Sequence, residues 1–129
     1  MINYHNPEEL GDYSALGLSS GTSTDKFVYA AGLAMDPTTH KKRADAPTVA
    51  DEVRICIENI EHVLKAENLT RRDIIKTTCY LRSNEQRGEF IQAYKAAFGE
   101  GPYPARCTFV LGIASDLNVQ IDAIAAKKI

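Results

Sequence analysis

Cysteine is scarce in this 129-residue chain, and tryptophan is absent. The three cysteines, Cys56, Cys79 and Cys107, form no CxxC pair and no zinc-type spacing, which argues against a disulfide framework and a zinc ribbon. Each of them lies in an apolar segment, where a thiol usually packs as a small hydrophobe. We therefore expect three buried, reduced thiols and a reducing compartment.

An excess of positive charge is also missing. The formal net charge is −2, which argues against a dedicated nucleic-acid or anionic-membrane binder. The only basic run, residues 40–43, is predicted to be a solvated loop. No apolar run approaches the roughly 18 residues that a membrane-spanning helix needs, and the N-terminus lacks the pattern of a signal peptide. We expect a cytoplasmic protein that binds neither nucleic acid nor a membrane.

Histidines are few and scattered. His5 lies near the N-terminus, His40 in a polar loop and His62 on the polar side of a predicted helix. Nothing in their spacing brings them together, so no metal site is predicted. The GxxxxGK[ST], GxGxxG, HExxH and GxSxG motifs are missing as well, which removes the common phosphate-binding, zinc-protease and hydrolase signatures.

What the sequence does contain is hydrophobic periodicity. Its length and its composition, 44% hydrophobic and 25% charged, predict one globular domain over residues 1–129. Apolar residues at spacings of three and four predict two helices, and alternation or β-branched content predicts five strands. The predicted strands are residues 14–20, 26–33, 74–81, 106–112 and 118–125, with the last two joined as a hairpin, and the predicted helices are residues 48–68 and 83–98.

These elements predict an α+β fold in which two helices cover one face of an antiparallel sheet. The last strand alternates, so Gln120 and Asp122 point to the face without helices. Tyr80, Val110 and Ile124 are assigned to the same open face, which we interpret as an interface with another subunit.

Arg106 follows Pro104 by two residues at the start of the strand 106–112. Its guanidinium cannot lose its charge, and its forked N–H groups suit bidentate binding of a carboxylate. From spacing alone, the alternative is a charge that protects a strand edge from pairing.

Four segments together resemble the Rid/YjgF family. "YPARCTFVLGIASDLNVQIDAIA" is similar to the family's C-terminal signature of a P-x-R strand, a short turn and V-E-I-E-x-I-A. "GDYSALGL", "FVYAAGLAMDP" and "IIKTTCYL" are similar to three further family segments, and all four occur in the family's order over nearly the whole chain. The resemblance implies a chorismate-mutase-like α+β subunit with a mixed, mainly antiparallel sheet and two helices on one face. It also implies a homotrimer whose sheets face its interior and whose inter-subunit clefts bind small carboxylates.

The resemblance also implies a site. Arg106 corresponds to the family's carboxylate-binding arginine and Tyr13 to its pocket tyrosine. Gln120 stands where the family has its catalytic glutamate, and Asp122 is the candidate substitute for acid–base work. The other positions assigned to substrate binding are Ala31, which replaces a serine, Ile91, which replaces an asparagine, and Gly32 and Cys107.

The family activity that the resemblance implies is the hydrolysis of reactive enamines and imines to 2-keto acids and ammonia, without a cofactor or a metal. We expect an enzyme of this type with a small carboxylate-bearing substrate, a class that includes pathway-specific deaminases such as an aminomuconate-type deaminase. Because the family's glutamate, serine and asparagine are replaced, a trimer that binds a small carboxylate without converting it is the alternative. The endoribonuclease activity associated with some members is the weakest interpretation, given the net charge of −2 and the scattered histidines.

Overall fold

In the computed structural model, which describes residues 1–128, six strands form one sheet and two α-helices pack on one of its faces. The order across the sheet is β1-β2-β3-β6-β4-β5, and every neighbouring pair is antiparallel except β4 and β5. This mixed α+β architecture confirms the predicted fold class. The elements are β1 (Asn3–His5), β2 (Gly21–Ser23), β3 (Phe27–Leu33), α1 (Val49–Lys65), β4 (Ile74–Leu81), α2 (Arg87–Phe98), β5 (Ala105–Val110) and β6 (Val119–Ala126).

The start of α1 follows from its capping residues. The Asp51 N–H donates to Thr48 Oγ1 at 3.1 Å, and the Thr48 N–H donates to Asp51 Oδ2 at 3.3 Å, so two N–H groups that lack helical partners are satisfied. The predicted start is confirmed. The helix ends at Lys65 rather than at the predicted Asn68, because Asn68 adopts a left-handed conformation (φ 59°).

A capping box between Ser83 and Gln86 lies one short 3₁₀ turn ahead of α2, so the α-helix begins at Arg87 rather than at the predicted residue 83. Gly99 ends the helix with φ 72°, and its N–H donates to the Lys95 carbonyl at 2.8 Å. Between these boundaries α2 buries three aromatic residues against the sheet and α1: Phe90, Tyr94 and Phe98.

The predicted strand over residues 14–20 is wrong. Ser14–Leu16 forms a 3₁₀ turn, and Gly17 follows with φ 76°, a left-handed conformation that cannot continue a strand. The strand in this region is β2, further along the chain. β1, which pairs with β2, was not predicted, because its three residues carry no apolar alternation.

The predicted hairpin between the last two strands is also wrong. β5 pairs in parallel with β4 at the edge of the sheet, whereas β6 lies between β3 and β4. Burial explains the arrangement: every second residue of β6 is buried, as a central strand requires, while β5 is exposed at nearly every position.

The register corrects one assignment to the open face. Gln120, Asp122 and Ile124 alternate with buried residues and lie on that face with Tyr80, as predicted. Val110 does not, because it pairs with the buried Leu81 of the helix-covered face. Phe109 takes its place beside Tyr80, with the ring centres 6.2 Å apart.

Two of the three cysteines are buried, as predicted. Burial raises the pKa of both thiols, that of Cys79 to about 11 and that of Cys56 still further. Cys107 is exposed, so the prediction is wrong for this residue. Its position on an edge strand leaves it without the covering that the apolar sequence suggested.

Two features are absent from the described residues 1–128. No helix there has both the length and the apolar character needed to cross a membrane. No group of three or more His, Cys, Asp and Glu side chains is arranged to hold a metal ion.

Candidate functional site

Arg106 lies on the edge strand β5 and faces the helices. The pairing of β5 with β4 sets it beside Thr77, a buried residue of the helix-covered face. Its guanidinium carbon lies 5.6 Å from the centre of the Phe90 ring and 5.2 Å from that of the Tyr94 ring, distances typical of cation–π contacts. Nη1 also donates a hydrogen bond to Thr108 Oγ1. Two rings and a hydroxyl therefore hold a charged group at the edge of the sheet.

Within residues 1–128, no acidic side chain balances the charge of Arg106. Arg43, Arg54 and Arg71 each form an ion pair with a nearby carboxylate, whereas no Asp or Glu of residues 1–128 pairs with Arg106. The residue is exposed, and the Nε–Nη2 edge of its guanidinium is not used by Thr108. Such an edge matches the two oxygens of a carboxylate.

Cys107 points to the other face of the sheet. It pairs with Thr78, and the Lys76 Nζ donates to its sulfur at 3.6 Å. The neighbour of Arg106 on the same face is Thr108, which the sequence interpretation missed. The signal was present, because residues two apart in a strand share a face.

Asp122 is the centre of a polar cluster on the open face. The side chains of Gln120 and Tyr80 lie beside its carboxyl group, while Ala31 and Thr78 flank it on the neighbouring strands. Burial raises the pKa of Asp122, and the polar groups of Gln120 and Tyr80 offset part of that shift. Burial also raises the pKa of Tyr80, and the neighbouring carboxylate adds to the effect. The cluster therefore contains a carboxylic acid that holds its proton to a higher pH than a free aspartic acid.

A cavity of about 400 Å³ opens beside Asp122 on this face. Lys76 and Thr78 form part of its wall on β4, and Ala31 on β3. The remaining wall comes from residues 19–22, from Tyr29 and Ala30 of β3, and from residues 122–124 of β6. This volume is within the range of sites for small molecules.

Tyr13 is buried, and its hydroxyl donates to the Met35 carbonyl at 2.6 Å. The ring lines a narrow crevice together with Ala31 and Leu33. Burial raises the pKa of this tyrosine. The Tyr13 hydroxyl therefore donates its proton to the backbone that follows β3, the strand that carries Ala31.

Gly32 and Ile91 lie on the helix-covered side. A Cβ at Gly32 would stand 2.7 Å from the Cys56 carbonyl of α1, so only glycine permits this close approach of β3 and α1. Ile91 is half-buried on α2, next to Phe90 and one helical turn before Tyr94. Its apolar side chain packs against the hydrophobic core.

The start of β6 is fixed from beneath by a buried carboxylate that the sequence interpretation did not identify. Glu52 of α1 accepts hydrogen bonds from the Asn118 N–H at 2.8 Å, the Asn118 Nδ2 at 3.0 Å and the Val119 N–H at 3.3 Å. Arg82 donates to the Leu117 carbonyl at 2.8 Å and so holds the preceding loop. These contacts fix the position of Val119 at the start of β6, and therefore that of Gln120, the first residue of β6 on the open face.

The structure divides the predicted site residues: Arg106 belongs to one group, Ala31, Gln120 and Asp122 belong to another, and Tyr13, Gly32, Ile91 and Cys107 belong to neither. The edge cluster comprises Phe90, Tyr94, Arg106 and Thr108, and the sheet-face cluster comprises Ala31, Tyr80, Gln120 and Asp122. They lie on opposite faces of the sheet, so one chain does not bring Arg106 and Asp122 together.

The chain matches the family model described as Endoribonuclease L-PSP over residues 5–127. It is 30% identical to a RutC family protein of Pyrococcus horikoshii over 125 residues, which span 95% of this chain and 92% of that protein. It is also 30% identical to the 2-iminobutanoate/2-iminopropanoate deaminase of Salmonella typhimurium over 95 residues, 71% of this chain and 74% of that enzyme. Among solved structures, Escherichia coli TdcF with bound serine superposes with a TM-score of 0.74 at 27% identity, covering 86% of this chain and 88% of TdcF.

Proposed function

The chain belongs to the Endoribonuclease L-PSP family, also known as the YjgF/Rid family, and we propose that it hydrolyses a small carboxylate-bearing enamine or imine to a keto acid and ammonia. The Salmonella relative is named for two 2-imino acids, and TdcF holds serine in its solved structure. In each of these compounds the carboxylate is attached to the carbon that bears nitrogen. Arg106, a fixed cation that pairs with no Asp or Glu side chain of residues 1–128, is the observation that carries the proposal.

Arg106 supplies the anchoring step. The Nε–Nη2 edge binds the two carboxylate oxygens, and this bidentate contact fixes both the position and the plane of the group. Because the C=N carbon is bonded directly to the carboxylate carbon, the same contact fixes the reacting atom. Orientation of this kind is a large source of rate acceleration.

Asp122 and Gln120 supply the proton transfer and the water. Water adds to the C=N carbon as the C–N π bond breaks, and nitrogen takes up a proton to give a carbinolamine. The carbinolamine then loses ammonia, and its hydroxyl gives up a proton as the C=O bond forms. Asp122 exchanges these protons, since its raised pKa brings it closer to neutral pH. Gln120 does not titrate, and its amide orients the water.

A second copy of the chain completes the site. Arg106 and Asp122 lie on opposite faces of one sheet, so the edge cluster of one copy meets the sheet-face cluster of its neighbour in a homotrimer with the open faces inside. Exposed aromatic residues on the open face support this assembly, with Tyr29 at 42% and Phe109 at 51% exposure. Light scattering should give a mass three times the 14.2 kDa of the chain, and a monomer at assay concentration contradicts the shared site.

The activity is tested by ammonia release from freshly generated 2-iminopropanoate. We expect Arg106→Ala to lower kcat/KM by about 10- to 100-fold, because a hydrogen bond to a charged group contributes about 1.5–3 kcal/mol. Arg87→Ala is the matched control, since Arg87 is an exposed arginine at the start of α2. A wild-type rate equal to that of buffer, or equal rates for Arg106→Ala and the wild type, overturns the proposal.

Carboxylate binding without turnover is the second candidate function, and Gln120 favours it because an amide cannot act as an acid or a base. The discriminating result is pyruvate binding that requires Arg106 in a protein that releases no ammonia. Gln120→Glu sharpens the test. If the amide limits proton transfer, this substitution raises the rate, whereas a pure binding protein gains nothing from it.

A further inference from the structure

Two aromatic rings form the surface on which Arg106 rests. Phe90 and Tyr94 are 0% and 3% exposed, and their ring centres lie 5.6 Å apart. The Tyr94 hydroxyl shares a hydrogen bond of 2.8 Å with Thr77 Oγ1, which fixes the orientation of the Tyr94 ring. The guanidinium lies over both rings.

We propose that Phe90 and Tyr94 are positioning residues that hold Arg106 for the substrate carboxylate without neutralising its charge. The inference rests on the proposed role of Arg106. Arg43 and Arg71 of this protein form ion pairs with Asp45 and Glu61, so their charges are already neutralised within the chain. A carboxylate beside Arg106 would compete with the ligand in the same way, whereas an aromatic ring attracts a cation through its quadrupole and leaves the N–H edge free.

The contacts around the guanidinium divide its surface by function. The guanidinium carbon lies over the two rings, 5.6 Å and 5.2 Å from their centres, and Thr108 accepts a hydrogen bond from Nη1. The Nε–Nη2 edge remains for a bidentate ligand. Because a free arginine side chain loses considerable rotamer freedom when it binds a ligand, this prior ordering lowers the entropic cost of binding.

Phe90 and Tyr94 together, called the seat of Arg106 from here on, should therefore affect the affinity for the substrate carboxylate. Removing a ring face should weaken carboxylate binding and raise KM, with a smaller change in kcat, because the rings do not contact the reacting carbon. A residue that only packs the core would change the free energy of unfolding and leave affinity unaltered.

The test measures pyruvate binding by calorimetry and urea unfolding for Phe90→Leu and Phe98→Leu. Phe98 is the matched control: it is 1% exposed on the same helix, 4.8 Å from the Tyr94 ring, and makes no cation–π contact with Arg106. We expect Phe90→Leu to weaken pyruvate binding by about 3- to 30-fold, the range of a partly desolvated cation–π contact. Phe98→Leu should lower stability by a similar amount and change the Kd by less than about twofold.

Tyr94→Phe and a double-mutant cycle complete the design. Tyr94→Phe keeps the ring and should retain most of the affinity, whereas Tyr94→Leu should lose it. In an Arg106→Ala background Phe90→Leu should cause no further loss. Phe90→Met provides the same comparison if Phe90→Leu does not fold.

The possible failures are distinguishable. If Arg106→Ala does not change pyruvate binding, the proposed function of Arg106 fails and the seat fails with it. If Arg106→Ala abolishes binding but Phe90→Leu and Phe98→Leu have equal Kd values, the seat alone is overturned. Additive losses in the double-mutant cycle overturn the seat as well.

Discussion

β5 and β6 are both apolar strands of the same sheet, but the chain uses them in opposite ways. β6 lies between two neighbours and buries every second side chain in its own core. β5 has one neighbour and leaves five of its six residues exposed. A central strand stabilises its own fold, whereas an edge strand of similar composition remains available for contacts outside the chain.

The two strands also contribute different electrostatics to the site. Arg106 on β5 is charged at every physiological pH, and its position depends on aromatic contacts. Gln120 and Asp122 lie on β6, where burial raises the pKa of the Asp122 carboxyl group. The edge therefore supplies a permanent charge and the centre a titratable one.

The comparison predicts that shortening an inward side chain has a much larger effect on β6 than on β5. We expect Ile121→Ala to lower the free energy of unfolding by about 2–5 kcal/mol, because it leaves a cavity in a fully buried region. Val110→Ala should cost about 0.5 kcal/mol, since half of its side chain is exposed. Urea unfolding at one fixed protein concentration measures both, and similar losses would contradict the distinction between the strands.

The carboxylate beneath β6 should have the next largest effect. Glu52→Gln replaces an acceptor of three N–H groups with an amide that can donate, so we expect a loss of about 1–3 kcal/mol. Glu58→Gln on the same helix is the control. Glu58 is exposed and paired with Arg54, and its substitution should cost at most about 1 kcal/mol. Equal unfolding midpoints for the two variants would show that Glu52 does not fix the strand.

The elements that the sequence predicted well are those whose signal is local. The apolar spacing located α1 and α2, and the alternation of β6 predicted which side chains face outwards. Strand neighbours were not predictable in this way, because the short segment between β5 and β6 is compatible both with a hairpin and with a crossing to another position. Charge chemistry singled out Arg106, but its contact with Phe90 depends on how α2 packs against the edge of the sheet.

A smaller effect is expected from the titration of Asp122. The pKa of Asp122 is raised in the folded chain, so the folded state binds more protons than the unfolded state. The stability that this group contributes is fully present at a pH below its unfolded pKa of 3.8. It is lost as the pH rises through the folded pKa. Asp122→Asn cannot ionise, so its stability relative to the wild type should increase with pH across that window in urea unfolding.

Asp116→Asn is the control, because the pKa of Asp116 is shifted in the opposite direction to that of Asp122. The Lys42 N–H donates to Asp116 Oδ1 at 2.6 Å and lowers the pKa of that carboxyl group. The stability that Asp116 contributes is present above its unfolded pKa and lost as the pH falls through the folded pKa. A relative stability of Asp122→Asn that is independent of pH would mean that burial does not control this carboxyl group.

The smallest perturbation is chemical labelling of thiols in the native protein. Cys107 on β5 is exposed, whereas Cys56 and Cys79 are buried with raised pKa values, so Cys107 should react with iodoacetamide first. Phe109 shares the open face with Cys107, and Phe109→Asp sets a charge where the proposed assembly buries an aromatic ring. If a second copy covers β5 in the wild type, Cys107 should be labelled faster in this variant than in the wild type. The labelling rates of the buried Cys56 and Cys79 should not change. Mass spectrometry of the digested protein measures the rate at each cysteine. Equal labelling rates at Cys107 in both proteins would mean that no second copy covers the open side of β5. Labelling of Cys56 or Cys79 before Cys107 would contradict the distinction between the exposed edge strand and the buried centre of the sheet.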